Sequence, residues 1–86
     1  MNQAIQFPDR EEWNVITRKV HFPVLINGML AECTVSESLL HKRYSLNVEA
    51  ISLFQDNRWD IEEEFEVLIK QDPDQESGTY SLPEDK

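Results

Sequence analysis

The sequence contains few of the residues from which disulfide scaffolds and phosphate-binding loops are usually built. Its 86 residues include one cysteine and two glycines. A single cysteine, Cys33, cannot form an internal disulfide, whereas small secreted domains usually carry several. Gly28 and Gly78 lie too far apart to build a Gly-rich phosphate loop. We therefore expect neither a disulfide framework nor a nucleotide site of this kind.

Long apolar runs are also missing from the sequence. No stretch approaches the roughly 20 apolar residues that cross a bilayer. Residues 1–3 carry neither the basic charge nor the apolar run of a secretory signal. We expect a cytoplasmic protein without a membrane partner.

Positive charge is scarce in the second half of the chain. The formal net charge is −9, yet acids and bases are equally numerous over residues 1–43, so the whole excess lies beyond that point. An acidic surface repels phosphate backbones, so no nucleic-acid partner is expected. The simplest interpretation is that the charge keeps the protein soluble.

The clearest structural signal is Asn27-Gly28, which lies between two runs of alternating apolar residues. Asn-Gly favours a two-residue type I′ hairpin turn, because both positions adopt positive φ. This turn fixes the register so that every pair on one face is apolar. The predicted pairs are Ile26 with Met29, Val24 with Ala31, Phe22 with Cys33, and Val20 with Val35.

Pro23 restricts how this hairpin extends into a sheet. In the predicted register its nitrogen points away from the second hairpin strand, and proline has no N–H to donate. Either this stretch is an edge, or the first strand pairs along residues 15–22.

The N-terminal segment predicts one strand and one helical turn. Ile5 and Phe7 alternate with polar residues in a short strand that ends at Pro8. Asp9 and Glu12 have the spacing of a capping box, which predicts a helical turn over residues 10–13 with Trp13 folded onto the core.

Three helices are predicted after the hairpin, over residues 37–44, 48–56 and 61–71, with Ser36, Asn47 and Asp60 as their N-caps. The last of them has an apolar stripe with helical spacing, formed by Ile61, Phe65, Leu68 and Ile69.

These elements predict an α+β fold in a single domain. An antiparallel sheet of three or four strands, built from the N-terminal strand and the Asn-Gly hairpin, is covered on one face by two or three C-terminal helices. The domain is expected to span residues 1–72. Residues 73–86 are predicted to form a polar, acidic tail, in which 79–82 could make a short edge strand.

Three segments together resemble a known family. They are Asn-Gln-Ala-Ile-Gln-Phe-Pro-Asp at 2–9, Phe-Pro-Val at 22–24 with Asn-Gly-Met at 27–29, and Arg-Trp-Asp-Ile-Glu-Glu-Glu at 58–64. In this order they are similar to the small bacterial proteins catalogued as domain of unknown function 1488. The resemblance implies a small cytoplasmic α+β protein and brings no catalytic residue with it.

The sequence shows no spacing typical of a catalytic or metal site. Cys33 is predicted to lie in the core, where burial keeps a thiol unreactive, and His21 lies on the other face of its strand. Glu62, Glu63 and Glu66 lie close together on one helix, but a di-metal carboxylate site also needs histidines at Glu-x-x-His spacing. We therefore predict a protein that is not an enzyme and that binds no metal and no cofactor.

Two alternatives belong to other classes of protein. The second and third helices have the spacing of a helix-turn-helix regulator, although a recognition helix is rarely so acidic. A small-molecule binder would need a pocket at a homodimer interface, and an exposed edge at Pro23 or at 79–82 would allow such a dimer.

The remaining candidate is an interaction surface on the third helix. Arg58 and Trp59 precede an acidic rim formed by Glu62, Glu63 and Glu66. Arginine and tryptophan are enriched at interaction hot spots. On this basis we predict a non-enzymatic protein-interaction module whose partner is a protein of basic character.

Overall fold

A computed structural model of the protein describes residues 4–72 and 78–82. Over these residues the chain forms one five-stranded sheet and three helices. The strands are β1 (Ile5–Gln6), β2 (Glu12–Asn14), β3 (Lys19–Ile26), β4 (Met29–Ser36) and β5 (Thr79–Ser81), and the helices are α1 (Glu37–Arg43), α2 (Ala50–Asp56) and α3 (Arg58–Gln71). The predicted α+β fold is confirmed, with five strands where three or four were expected.

The hairpin of β3 and β4 forms in the predicted register, and all four predicted pairs are aligned. Asn27 and Gly28 have φ values of 52° and 83°, as a type I′ turn requires. Asn27 also ties the turn to the segment before β1. Its Oδ1 accepts a hydrogen bond from the Ala4 N–H (3.0 Å), and its own N–H donates to the Ala4 carbonyl (2.8 Å).

Pro23 divides the strand pairing on the other side of β3. β1 pairs with residues 25–26 and β2 pairs with residues 19–21, both antiparallel. Between them residues 7–11 leave the sheet, because Pro23 has no N–H for a neighbouring strand. The constraint read from Pro23 therefore holds. The predicted first strand, however, pairs with residues 25–26 rather than along 15–22, where β2 pairs instead.

The helical turn predicted over residues 10–13 is wrong. β2 begins at Glu12, inside the predicted turn, and aligns Trp13 with Val20. Pairing with β3 thus replaces the helical conformation that the spacing of Asp9 and Glu12 predicted. Trp13 packs half-buried against the core, now from a strand.

The core lies between the sheet and the helices and centres on Phe22. The Phe22 ring lies 4.6 Å from the Phe54 centroid, 5.0 Å from Phe65 in a T-shaped contact, and 6.2 Å from Phe7. Cys33 is fully buried, as predicted. Burial, helped by the charge of Glu32, raises the pKa of its thiol to about 12, so the thiol stays protonated at neutral pH.

β5 lies at one edge of the sheet. It pairs parallel with β4 and aligns Tyr80 with Cys33, and Tyr80 is buried. The Tyr80 hydroxyl donates a hydrogen bond to the carbonyl of Asp72 at the end of α3 (2.8 Å). Thr79–Ser81 therefore form the short edge strand that was predicted over 79–82, and they pack on the rest of the domain. The rest of the predicted tail, residues 73–77 and 83–86, lies outside the described residues.

The first two helices begin at different kinds of cap. α1 begins after Ser36 as predicted, and the Ser36 hydroxyl accepts a hydrogen bond from the Leu39 N–H (3.1 Å). α2 begins at Ala50 rather than at residue 48, because Asn47 belongs to the preceding loop, where its N–H donates to the Ser45 hydroxyl (3.2 Å).

α3 begins at Arg58, earlier than the predicted cap at Asp60. Asn57 both closes α2 and opens α3. Its side-chain amide donates to the Leu53 carbonyl (2.9 Å), and its own carbonyl accepts from the Ile61 N–H (3.1 Å). Asp60 is consequently inside the first turn of α3. None of the helices in the described part of the chain has the length and apolar character needed to span a bilayer.

The hairpin turn allows a test of what fixes the register. Gly28 has φ of +83°, and no atom lies within 4 Å of the position that a Cβ would occupy. We expect Gly28→Ala to lower the free energy of unfolding by about 1–2 kcal/mol, the cost of a left-handed L-residue. Gly28→Asn should lower it by less, because asparagine tolerates positive φ. Urea unfolding followed by circular dichroism measures both, and equal losses would contradict the backbone explanation.

Candidate functional site

The five residues predicted to form an interaction surface fall into two groups. Arg58 and Glu62 face the N-terminal segment, and only 15% and 20% of their side chains are exposed. Trp59 is 85% exposed and Glu63 is exposed, while Glu66 is half-buried. The structure thus separates an internal ion cluster around Arg58 from an outward face that carries Trp59.

Arg58 contacts three carboxylates and one backbone carbonyl. Its Nη1 donates to Glu11 Oε1 (2.5 Å) and its Nε donates to Glu62 Oε2 (2.6 Å). Its Nη2 lies 3.1 Å from Asp9 Oδ1 and donates to the Pro8 carbonyl (2.9 Å). We call Arg58, Asp9, Glu11 and Glu62 the Arg58 cluster.

The Arg58 cluster fastens the segment that Pro23 keeps out of the sheet. Residues 7–11 pass over the start of α3, where the planar guanidinium can bind several oxygens at once. The guanidinium carbon also lies 5.4 Å from the centre of the Phe54 ring, within range of a cation–π contact. Gln55 adds a hydrogen bond to Glu11 Oε2 (3.0 Å). Arg58 therefore acts inside the fold, and its donors are engaged there.

The cluster shifts the pKa values of its two most buried carboxylates in opposite directions. Burial opposes ionisation of Glu11, but hydrogen bonds from Arg58 and Gln55 and the Arg58 charge outweigh it and lower the pKa. Burial raises the pKa of Glu62, and neighbouring carboxylates add to this rise, so the opposing effect of Arg58 is insufficient. One guanidinium thus stabilises the charge of Glu11 more effectively than that of Glu62.

α3 presents two apolar side chains and two acids to solvent. Trp59, Glu63 and Val67 are spaced i, i+4 and i+8, so they lie along one side of the helix. Trp59 is 85% exposed and Val67 is 52% exposed. Asp60 is exposed beside them. We call Trp59, Asp60, Glu63 and Val67 the Trp59 face.

Two surface hollows border the Trp59 face. One, of about 400 Å³, lies where α2 meets α3 and is lined by residues 55–60. The other, of about 410 Å³, lies between α1 and α3. It is lined by Arg43, Asp60, Glu63, Glu64 and Val67. Arg43 Nη1 and Glu64 Oε2 form an ion pair at this site (2.5 Å). Each hollow is therefore lined by acids and by one apolar side chain of the Trp59 face, which a partner could contact. This side chain is Trp59 in the first hollow and Val67 in the second.

A third cavity lies on the sheet face opposite the helices. It measures about 410 Å³, and its polar lining residues include Arg10, Glu12, His21 and Glu32. His21 is held by Thr17 Oγ1, 3.0 Å from its Nε2, and by Glu32 Oε1, 3.3 Å from its Nδ1. His21 and Glu32 share this face as the hairpin register predicts. Within residues 4–72 and 78–82, no group of three or more His, Cys, Asp or Glu side chains is placed to hold a metal ion.

Sequence reasoning missed two parts of this arrangement. Glu11 lies 47 positions before Arg58, and no local pattern connects them. Val67 could have been found, because it follows Trp59 by two helical repeats of four and lies outside the buried stripe of α3.

Because Arg58 binds several carboxylates, we expect its loss to lower the free energy of unfolding more than the loss of Arg43 does. Arg58→Met keeps an apolar stem but leaves two largely buried carboxylates without a counterion. We expect a loss of about 2–3 kcal/mol in the free energy of unfolding, somewhat below the cost of breaking a fully buried pair. The control is Arg43→Met, which removes a single and more exposed pair and should cost about 1 kcal/mol or less. Equal losses in urea unfolding would mean that the cluster does not fasten the N-terminal segment.

The pKa shifts predict how acid affects stability. In the folded protein the pKa of Glu62 lies above its ordinary value of 4.5. Protonated Glu62 therefore stabilises the fold at low pH, and this contribution is lost as pH rises through the folded pKa. Glu11 has the opposite sign, because its contribution is present above 4.5 and is lost as pH falls through its folded pKa. Glu62→Gln removes only the first contribution. Its stability relative to the wild type should therefore fall as pH is lowered from about 7 toward that ordinary value.

Urea unfolding at the two pH values measures this change in relative stability. Glu63→Gln removes the same charge from an exposed position on the same helix and serves as the control. A Glu62→Gln variant that gains stability on the wild type at the lower pH would show that the sign assigned to Glu62 is incorrect.

Comparison with known proteins agrees with the three-segment resemblance. The family described as "Protein of unknown function (DUF1488)" matches residues 5–82. The "Uncharacterized protein YrdB" of Escherichia coli (strain K12) is 44% identical over 85 residues, which cover 96% of this chain and 100% of that protein. Its namesake in Shigella flexneri is 42% identical with the same coverage.

A solved structure supports the fold as well. The crystal structure of a protein of unknown function from the DUF1488 family of Shewanella loihica PV-4 matches this fold with a TM-score of 0.85 and 31% identity. The match covers 98% of this chain and 97% of that one. The resemblance is thus confirmed over nearly the whole chain, and the protein belongs to the DUF1488 family of proteins of unknown function.

Proposed function

We propose that this protein is a non-enzymatic interaction module that binds a basic protein partner through the Trp59 face. The observation that carries the proposal is the 85% exposure of Trp59 in the first turn of α3. Tryptophan offers a large apolar area that is usually removed from water, and contiguous apolar patches rimmed by polar residues mark interaction sites. Trp59 supplies the anchor that a hot spot requires.

The charges around Trp59 specify the kind of partner. Asp56, Asp60 and Glu63 line the two hollows beside it. The two arginines that border these hollows, Arg43 and Arg58, are already paired with carboxylates of the protein itself. A partner with lysine or arginine around an apolar anchor complements this surface, and such complementarity favours fast and selective association.

The spacing of the Trp59 face also limits the shape of the partner. Trp59 and Val67 are eight residues apart, so the apolar contacts extend about 12 Å along α3. A short helix or an extended segment that places apolar side chains about 12 Å apart fits this stripe. We therefore propose a basic amphipathic segment as the bound element.

The alternatives are less well supported by the geometry. Asn57 alone separates α2 from α3, whereas a helix-turn-helix has a turn of about three or four residues, and the outward side of α3 carries acids that repel phosphates. A small molecule would use the cavity around His21 on the outer sheet face.

Two variants with matched changes test the Trp59 face. The first, W59A/E63K, removes the apolar anchor and reverses one acid. The control, M29A/E12K, makes the same kinds of change at exposed positions on β4 and β2. We expect a protein partner captured from native lysate to bind the wild type and the control, and to bind W59A/E63K at least about tenfold more weakly. Retained binding by W59A/E63K would exclude this face.

Fluorescence then reports on Trp59 directly. The chain has two tryptophans, so Trp13→Phe leaves Trp59 as the only one. Binding of the captured partner should shift the Trp59 emission to shorter wavelength and protect it from acrylamide, because the indole leaves water. Added salt should weaken the complex, since its charges lie near the surface. Unchanged emission in a complex that does form would place the interface elsewhere.

A further inference from the structure

The turn between β2 and β3 displays two apolar side chains on a rigid support. Val15 is 69% exposed and Ile16 is 90% exposed. The Asn14 Oδ1 accepts hydrogen bonds from the N–H groups of Ile16 (2.9 Å) and Thr17 (3.0 Å), and the Asn14 carbonyl accepts from the Arg18 N–H (2.8 Å). A turn ordered in advance loses little conformational entropy on binding.

Arg18 fastens the other end of this turn to α1. Its φ is 55°, which is uncommon for a residue other than glycine. Its Nε and Nη2 both donate to Glu37 Oε1, at 2.9 Å and 2.6 Å, and its carbonyl accepts from the Glu37 N–H (3.0 Å). These three bonds hold the left-handed residue in place, so Val15 and Ile16 have a fixed position relative to the helices.

A cavity of about 240 Å³ lies beside the turn. Trp13 and Arg18 form its wall on the side of the turn, and the start of α2 forms the opposite wall. Its apolar lining residues are Trp13, Ala50 and Ile51, and its charged lining residues are Arg18, Glu37 and Glu49. One surface of the chain therefore carries an apolar projection beside a cavity with one apolar wall, formed by Trp13, Ala50 and Ile51.

We propose that this surface forms a two-fold homodimer, in which the Val15–Ile16 projection of each copy enters the Trp13–Ile51 cavity of the other. A two-fold interface uses the same patch on both copies, so it needs a projection and a matching cavity on one surface. Entry of two β-branched side chains would remove apolar area from water twice, once for each copy.

The charges favour a second copy over a different protein. The rim of the cavity carries Arg18 together with Glu37 and Glu49, so both signs are present on the same patch. Arg18 binds Glu37 of its own copy, yet 63% of its side chain is exposed, so it can also lie opposite Glu49 of the other copy. This is the electrostatic form of self-complementarity. In contrast, the charged residues of the Trp59 face are all acidic. The two surfaces share no residue, so the homodimer does not depend on the proposed function.

Sedimentation velocity over about 1–200 μM, a range that brackets a micromolar dissociation constant, tests the dimer. The wild type should show twice the 10.1 kDa mass of one chain at the upper concentrations. Ile16→Asp should weaken the dimer at least about tenfold, because it places a charge against the apolar side chains of Trp13, Ala50 and Ile51. Leu46→Asp, at another apolar residue that is 77% exposed, is the control and should leave the dimer unchanged. A monomeric wild type, or equal effects of the two variants, would overturn the proposal.

A cross-linking experiment identifies the contact itself. A chain carrying Ile16→Cys is mixed with a differently tagged chain carrying Ile51→Cys and oxidised mildly. The native Cys33 is buried and does not compete. We expect a disulfide between the two chains, and none when Leu46→Cys replaces Ile16→Cys. Failure of the first pair to cross-link while the wild type is dimeric would place the interface on another surface.

Discussion

The missing N–H of Pro23 is the constraint from which much of this structure follows. Since β3 cannot pair continuously along one side, β1 and β2 use its two ends, and the chain between them leaves the sheet. Backbone that leaves a sheet needs other partners. Arg58 supplies one of them by binding the Pro8 carbonyl and the carboxylates of Asp9 and Glu11. Because Pro23 keeps this segment out of the sheet, the segment is held instead by the first residue of α3.

The orientation of Arg58 in turn explains the exposure of Trp59. Successive residues of a helix differ in direction by about 100°. Arg58 faces the N-terminal segment, and Ile61 and Phe65 face the core. Trp59 therefore points away from both the core and the N-terminal segment, into solvent. The most exposed aromatic side chain of the described structure is therefore a consequence of how the N-terminal segment is fastened.

Local rules predicted the elements that local interactions determine. Asn27-Gly28 and the alternating apolar residues were sufficient for the register of the hairpin, and the spacing of Ile61, Phe65 and Ile69 was sufficient for the buried side of α3. The failures involve competition between distant partners. Asp9 and Glu12 have the spacing of a helix cap, yet pairing with β3 placed Glu12 in a strand. The candidate site was predictable only in part, because an arginine suited to a hot spot is equally suited to an internal ion cluster.

The acids of α3 are not a uniform solvated surface. Glu64 is bound by Arg43 and so connects α3 to α1. Glu62 is bound within α3 by Arg58, the arginine that holds the N-terminal segment. The side chains of Asp60 and Glu63 form no hydrogen bond or ion pair with another residue in the described part of the chain. These two acids flank Trp59. Unpaired acids on a surface also serve solubility. The proposed basic partner would use their position, because it needs negative charge and an apolar anchor in one place.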